Sequence, residues 1–453
     1  MANVSTIYAL SSAPGRAGVA VIRVSGPAAQ DVLAAMVRRP PAHGQAAFRT
    51  VRDPQTGAAL DQALILYFAA PNSETGEDVA EFQVHGGRAV VNAVLGALGR
   101  FPGCRMAEPG EFARRAFSNG KLDLAQAEGL ADLVDAETEA QRVQALAQSS
   151  GALSQLYEGW RTTLLEAMAL VEAAIDFSDE SDVSGRAMKM ACESVSALAV
   201  DLARHLADGR RGEILRDGFR VALLGAPNAG KSSLLNALAQ RDAAIVSEEA
   251  GTTRDVIEVR LDLAGYPVIV SDTAGLRQAT GAVEREGIRR SLAEAERADL
   301  ILWLVEPGGN AQPALGESLE ESREVSRETA PLVLMVHTKT DLTTAPAQTP
   351  SQTGLSISVK TGSGLEGLIT RITQVAADRL ASRSSPPLTQ ARHRQALETC
   401  LAGLNAFMAG DAEEAELRAE DLRRAAYALG RITGRVDVED VLGQIFGRFC
   451  IGK

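Results

Sequence analysis

Residues Gly225 to Ser232 read GAPNAGKS and fit the pattern GxxxxGK[ST], in which each fixed position has a chemical task. The glycines permit a tight turn, so that successive backbone N–H groups point inward at phosphate oxygens. The Lys231 ammonium can reach terminal phosphates, and the Ser232 hydroxyl can ligate Mg²⁺. Asn228, Ala229, Gly230 and Ser233 complete the loop's share of such a site. Two elements must position it. FRVALLG (Phe219 to Gly225) has the pattern of a buried strand, and SSLLNALAQ (Ser232 to Gln240) that of an amphipathic helix start. Strand, loop and helix in this order imply that the chain binds a nucleoside triphosphate.

Three further segments follow in nucleotide-site order. Asp272, Thr273, Ala274 and Gly275 (DTAG) end the apolar run PVIVSD, where Asp272 can hold Mg²⁺ through water and the Gly275 amide can meet a γ-phosphate. TKTD (Thr338 to Asp341) ends the apolar run PLVLMVH. Asp341 there can accept from the N1–H and N2–H₂ edge of guanine, which adenine lacks, while the Lys339 stem packs on the base. Ser358, Val359 and Lys360 close the base pocket through backbone contacts. Each motif alone is common; their order behind the phosphate loop identifies a guanine-nucleotide site, and hence GTP. The usual base-reading motif begins with Asn where this chain has Thr338. Threonine keeps a hydroxyl to tie this segment to the phosphate loop but loses the amide, so guanine choice should persist with altered affinity.

After DTAG stands Leu276, where Ras-like enzymes carry the glutamine that positions the attacking water. Leucine cannot polarise water, so hydrolysis needs another source of charge and orientation. Asn228 can offer its side-chain oxygen to a monovalent cation beside the β- and γ-phosphates, and is equally suited to a turn. Glu284, in ATGAVEREG, can orient water, and equally suits a solvated helix start.

Behind these residues stands a chain of 453 residues, 45% hydrophobic and 23% charged, enough for about three domains. A net charge of −12 removes any bulk electrostatic case for nucleic-acid binding, which would need a local patch, a partner's surface or the pocket itself. Cys104, Cys192, Cys400 and Cys450 lack CxxC spacing, which argues against a zinc site or a disulfide framework and suits a reducing cytosol. Without an apolar run of membrane-spanning length or a secretion signal, a cytoplasmic protein without a membrane partner is expected.

The pattern shifts along the chain. Residues 1–118 mix β-type runs (VAVIRVSG, ALILYFAA, VAEFQVHGG) with a helix pattern over Arg88 to Arg100, an α+β domain. Residues 119–218 are almost wholly helical, and 219–380 alternate strand and helix in the α/β manner. SRSSPPLTQ reads as a linker, and helical periodicity resumes within 381–453. The simplest reading inserts the α/β unit into a helical domain whose halves flank it; two separate helical domains are the alternative.

AGTTRD (Ala250 to Asp255), DTAGLR (Asp272 to Arg277) and the ending FCIGK (Phe449 to Lys453) resemble the tRNA modification GTPase MnmE (TrmE) family. PGRAGVAVIRVSG (Pro14 to Gly26), TGEDVAEFQVHGG (Thr75 to Gly87) and KLDLAQAEGLADLVDAET (Lys121 to Thr138) resemble the same family in order and spacing. The resemblance implies a folate-binding-type N-terminal domain, a helical domain and an inserted Ras-like P-loop GTPase domain. It implies a homodimer formed through the N-terminal domain, with GTPase domains that meet across a K⁺ ion held by Asn228 and Thr252 and by backbone groups at Ser247 and Glu249. Glu248, Ala250 and Gly251 belong to the same GTP-binding segment, Thr253 joins Ser232 on Mg²⁺, and Glu284 matches the catalytic glutamate. Arg277 lies in the motif without an assigned role.

A 5-formyl- or 5,10-methylene-tetrahydrofolate site is implied at Arg23, Glu81, Lys121 and Lys453, a carboxylate and cations suited to a pterin edge and glutamyl carboxylates. Taken singly, these residues suit surface ion pairs as well. Cys450 suits a small buried hydrophobe on general grounds, whereas the family's ending implicates it in the modification chemistry. The implied activity, shared with an FAD protein of the MnmG (GidA) type in a heterotetramer, adds an aminomethyl or carboxymethylaminomethyl group to carbon 5 of the wobble uridine of certain tRNAs. The alternatives are a regulatory Era- or Der-like switch in ribosome assembly without tRNA chemistry, and an N-terminal domain that only dimerises.

Overall fold

The computed structural model describes residues 5–208, 210–241, 243–245, 257–272, 294–308, 331–342, 354–380, 386–411, 414–436 and 439–452. Chain contacts gather into two compact units. One is Met1–Ala131 with Gln148–Glu158 and Leu429–Lys453; the other is Asp132–Ala147 with Gly159–Ala428.

The first unit is built on β1 (Thr6–Leu10), β2 (Ala17–Ser25), helix α1 (Ala29–Met36), β3 (Ala46–Arg52), β4 (Ala59–Phe68), β5 (Val79–Gly86), α2 (Arg88–Leu98) and β6 (Cys104–Met106). The sheet runs β3-β4-β5-β2-β1-β6, antiparallel except for the β1–β6 pair. Alternation decides its faces. Ala20, Ile22 and Val24 on β2 and Ala80, Phe82 and Val84 on β5 are buried, against Val32, Leu33 and Met36 of α1 and Val91, Val94 and Leu98 of α2. Arg23 and Glu81, each one position out of phase with that set, therefore share the other face, directly opposite in register. Helices α3 (Glu111–Ser118) and α4 (Leu124–Val134) follow.

Then come α5 (Glu139–Ser149), α6 (Ala152–Asp176), α7 (Ser181–Leu206) and α8 (Arg211–Asp217). The expected α/β segment holds β7 (Phe219–Gly225), α9 (Lys231–Ala239), β8 (Ile257–Leu263), β9 (Tyr266–Asp272), β10 (Leu300–Val305), β11 (Leu332–His337), β12 (Gly354–Ser356) and α10 (Leu365–Leu380). Its strands lie in the order β12-β11-β10-β7-β9-β8, parallel except for β8, the Ras-like P-loop arrangement. Phe219, Val221 and Leu223 of β7 pack against Leu234, Leu235 and Leu238 of α9 and Leu368 and Ile372 of α10, while Ala222 and Leu224 meet Ala295, Ala298 and Ile301 on the opposite face. Strands buried on both faces read as continuous apolar runs, which is why FRVALLG and PVIVSD were so plain in the sequence.

Helices α11 (Ala391–Ala409), α12 (Ala415–Thr433) and α13 (Glu439–Phe446) close the chain. α11 packs on α7, burying Leu397, Cys400, Leu404 and Phe407 on one helix and Ala191, Val195, Leu198 and Leu202 on the other at three-and-four spacing. The chain enters and leaves the β7–α10 segment at adjacent points. Arg216 donates to the Thr389 carbonyl at 3.0 Å, and Arg394 bridges Asp208 at 2.9 Å and Glu213 at 2.8 Å.

Candidate functional site

In a parallel sheet, ligands gather at the carboxyl ends of strands where the order reverses, and β7 lies between β9 and β10 at such a point. The expected residues that the structure describes stand there. Gly225 ends β7, Asp272 ends β9, Thr338 follows β11, and Ser358 lies just beyond β12; Glu306, not among those expected, follows β10.

The phosphate loop needs its glycines for reasons visible in the backbone. Gly225 has φ +147, and a Cβ there would lie 2.4 Å from the Leu304 carbonyl; Gly230, capping α9, has φ +95. Asn228, exposed at the loop tip, takes a left-handed φ of 67°, which asparagine tolerates better than most residues. Ala229 is fully buried, and Ser233 stands exposed in the first turn of α9. Lys231, 8% exposed, donates from Nζ to the carbonyls of Gly225 at 2.8 Å and Ala226 at 2.9 Å, which folds its ammonium over the loop. Burial pulls that ammonium below its ordinary range, and the Asp272 carboxylate acts in the opposite direction. Ser232 Oγ donates to Asp272 Oδ2 at 2.6 Å. Two hard oxygen donors so close, at the end of the phosphate loop, fit the Mg²⁺ of a nucleotide complex.

The segment expected to read the base is fastened to this loop. Thr338 is 3% exposed, and its hydroxyl donates to the Ala229 carbonyl at 2.8 Å, the tie expected of its hydroxyl. Lys339 has a left-handed φ of 54° and pairs with Glu306 at 2.8 Å. Ser358 Oγ donates to Asp341 Oδ1 at 2.7 Å, a bond that holds the Asp341 carboxyl below its usual range. Val359 packs on the core of the segment, and Lys360 follows at the turn. Sequence reasoning missed Glu306; its signal is its place as the first residue beyond an apolar parallel strand.

Ser247, Glu248, Glu249, Ala250, Gly251, Thr252, Thr253, Thr273, Ala274, Gly275, Leu276, Arg277, Glu284 and Lys453 lie outside the described residues. Of the expected K⁺ ligands, the structure thus describes Asn228, whose exposed side chain is accessible to an ion.

In the first unit, Arg23 and Glu81 are joined, Nε to Oε1 at 3.0 Å, and Arg23 also pairs with Glu74 at 2.6 Å. Glu74 belongs to the loop between β4 and β5. Lys121 lies against that same loop, since a Cβ at Gly76 would sit 3.3 Å from Lys121 Cε. Carboxylates and cations gathered around one loop, from β2, β5 and the segment after α3, fit the polar groups of a folate. Glu77, quoted within TGED without a role, accepts from Ser25 Oγ at 2.7 Å and pairs with Arg115 at 3.1 Å, anchoring the loop.

The ending is held in place. Phe449 is buried beside Ala113, Leu124 and Phe446, Ile451 pairs with Pro109, and Gly452 at φ +103 lies where a Cβ would meet the Leu10 carbonyl at 2.2 Å. Cys450 between them is exposed rather than a buried hydrophobe, on a tail bridged by the Pro109–Ile451 pair. Among the described residues, no helix is long and apolar enough to cross a membrane.

A family model described as MnmE helical domain matches residues 124–450, and one described as GTP-binding protein TrmE N-terminus matches residues 6–121. The tRNA modification GTPase MnmE of Parvibaculum lavamentivorans is 54% identical over 453 residues, covering 99% of this chain and 100% of that protein. Proteins of the same name from Maricaulis maris and Caulobacter vibrioides are each 50% identical, over 450 and 456 residues, covering 99% of this chain and 100% and 99% of their own lengths. With relatives matched from end to end, and with a phosphate loop, Mg²⁺-type oxygens and a guanine-type segment at one sheet edge, the chain belongs to the tRNA modification GTPase MnmE family.

Proposed function

We propose that the chain is a K⁺-dependent GTPase that, with a flavoprotein of the MnmG type, adds an aminomethyl or carboxymethylaminomethyl group to carbon 5 of the wobble uridine of certain tRNAs. The observation that carries this reading is the hydrogen bond from Thr338 to the Ala229 carbonyl, which couples a guanine-type segment to the phosphate loop.

In this reading the loop amides and Lys231 bind the β- and γ-phosphates, and Ser232 with Asp272 orients the metal side of the nucleotide. Asp341, fixed by Ser358, accepts from the guanine edge. Mg²⁺ and K⁺, when bound, supply positive charge against that developing on the phosphates. Asn228 offers its oxygen on the K⁺ side, which makes good the absence of a water-positioning glutamine at Leu276, and Glu284 orients the water. Arg23 and Glu81 within residues 1–118, with Lys121 just beyond them and Lys453, hold the folate that donates the one-carbon unit, and two copies of the chain meet through residues 1–118. Residues 119–218 and 381–453 form the helical domain around the GTPase domain at 219–380. Cys450, exposed on its bridged tail, serves the modification chemistry, and the partner's surface brings tRNA to a chain of net charge −12 in the cytoplasm.

The decisive experiment is nucleoside analysis of wobble uridines in a strain deleted for this gene and complemented with the wild-type chain. Loss of the modified nucleoside on deletion and its return on complementation is expected. Full modification in the deletion strain overturns the reading.

A further inference from the structure

The loops after β10 and β11 are joined by one ion pair. Glu306 is the first residue beyond β10 and Lys339 the second beyond β11, and Lys339 Nζ stands 2.8 Å from Glu306 Oε2. The two strands run parallel with Val305 level with His337, so a side chain leaving the end of one finds the other loop beside it.

The backbone beneath Lys339 is fixed on both sides. The Thr338 amide donates to the Val305 carbonyl at 2.8 Å, the Thr340 amide to the Ile357 carbonyl at 3.3 Å, and the Leu342 amide to the Lys339 carbonyl at 3.0 Å. Between these bonds Lys339 holds a left-handed φ of 54°, uncommon for a residue with a long side chain. Such a conformation persists where its surroundings over-determine it, and it sets the direction in which the lysine stem leaves the chain. The stem itself has several rotatable bonds, so its end goes to whichever carboxylate holds it best.

Glu306 is that carboxylate, and its rival is close along the chain. Asp341 stands two residues beyond Lys339 in the short helical turn Thr340–Leu342, with Ser358 Oγ on its Oδ1 at 2.7 Å. An aspartate paired with an ammonium is a poorer acceptor for the N–H edge of a base, since its negative charge is already matched. Stability gives little reason for the Lys339–Glu306 pair, because side chains 34% and 35% exposed form ion pairs of small net value. Keeping the lysine away from Asp341 does give one.

We propose that Glu306 is a positioning residue for guanine recognition: by holding the Lys339 ammonium it lays the lysine stem along the base pocket and leaves the Asp341 carboxylate to accept from the N1–H and N2–H₂ edge. This role rests on the reading of Asp341 as the guanine acceptor, and it makes base choice depend on a carboxylate from a different strand of the sheet.

The test is equilibrium titration of the full-length protein with GDP and IDP, for wild type, Glu306→Gln, Lys339→Met and the double variant. Inosine lacks the exocyclic amine, so the ratio of GDP to IDP affinity reports what Asp341 accepts. Wild type should prefer GDP at least about tenfold, and Glu306→Gln should lose about tenfold in GDP affinity and about fivefold in that ratio, as Lys339 turns to Asp341. Lys339→Met keeps an unbranched stem over the base and should keep the wild-type ratio. Adding Glu306→Gln to it should change neither affinity nor ratio further. A merely structural Glu306 would lower both affinities equally, and Lys339→Met would not rescue it. A wild type that binds GDP and IDP equally overturns the reading of Asp341 and this role together. A wild-type preference that survives intact in Glu306→Gln, or a loss of ratio that Lys339→Met does not reverse, overturns the role of Glu306 alone.

Discussion

The hydroxyl of Thr338 donates to the carbonyl of Ala229 at 2.8 Å, so the segment proposed to read the base and the phosphate loop are joined by one buried hydrogen bond. Thr338→Val removes the donor and leaves a buried carbonyl unmatched, at a cost of about 1–3 kcal/mol. GDP affinity should fall about tenfold, and the melting temperature should drop with it. Thr338→Asn, which restores a donor, should retain binding. Equal GDP affinity in wild type and Thr338→Val, measured by fluorescence titration, would show the bond to be incidental.

Asp341 is a carboxylate fixed by Ser358 at 2.7 Å, and its proposed partner is the pair of N–H groups on guanine. Xanthine presents a carbonyl in place of the exocyclic amine. Asp341→Asn should therefore weaken GTP at least about tenfold and accept XTP in its place. Competition between GTP and XTP for the two proteins measures this directly. A variant that still prefers GTP would move the base elsewhere.

Much of this was legible in the sequence because local chemistry and tertiary placement agree. The loop GAPNAGKS needs its glycines for a turn with left-handed backbone, and the doubly buried strands announce themselves as apolar runs, although the Leu304 carbonyl against Gly225 comes from a distant strand. Ion pairs were not legible. Arg23 and Glu81 are 58 positions apart, and only the register of β2 on β5 sets them opposite each other. Glu306 and Lys339 meet because β10 and β11 run parallel, and Glu77 reaches Arg115 across a loop. Cys450 shows the same limit, since its exposure follows from Phe449 and Ile451 being anchored on either side, which no local pattern announces.

Asn228 combines a left-handed backbone with an exposed amide, so a substitution must separate the two roles. Asn228→Gly keeps the backbone conformation and deletes the oxygen. Wild type should hydrolyse GTP at least about tenfold faster in potassium than in sodium, and Asn228→Gly should lose that preference while still binding GDP. Equal wild-type rates in the two salts would remove the cation role.

Glu111, 2% exposed, accepts from Arg105 at 2.8 and 2.5 Å, from Arg115 at 3.0 Å and from the Glu108 amide at 3.0 Å. Burial alone would raise its pKa, but these donors outweigh it and lower the value from 4.5 to about 2. Because the folded value lies below the unfolded one, the stabilisation is fully present above about pH 4.5 and is lost as pH falls towards 2. At neutral pH it amounts to about 3 kcal/mol. Urea unfolding of Glu111→Gln should show a deficit of that order at pH 7 that shrinks steadily below pH 4.5. A deficit independent of pH would assign Glu111 a packing role instead.

Gly452 lies at φ +103 with the Leu10 carbonyl 2.2 Å from where a Cβ would stand, and Ile451 before it pairs with Pro109. Gly452→Ala must therefore lift the tail off Leu10, with strain of about 1–3 kcal/mol, and Cys450 moves with it. If Cys450 acts in the modification at a fixed position, Gly452→Ala should lower tRNA modification by about ten- to hundredfold, and Cys450→Ser should abolish it. Neither change touches the phosphate loop, so GTP hydrolysis should persist in both. Parallel assays of wobble-uridine modification and phosphate release separate these outcomes. Normal modification in Cys450→Ser would leave Phe449, Ile451 and Gly452 as a structural clasp only, whereas loss of GTP hydrolysis in Gly452→Ala would point to a coupling between the tail and the nucleotide site that the proposed division of labour does not contain.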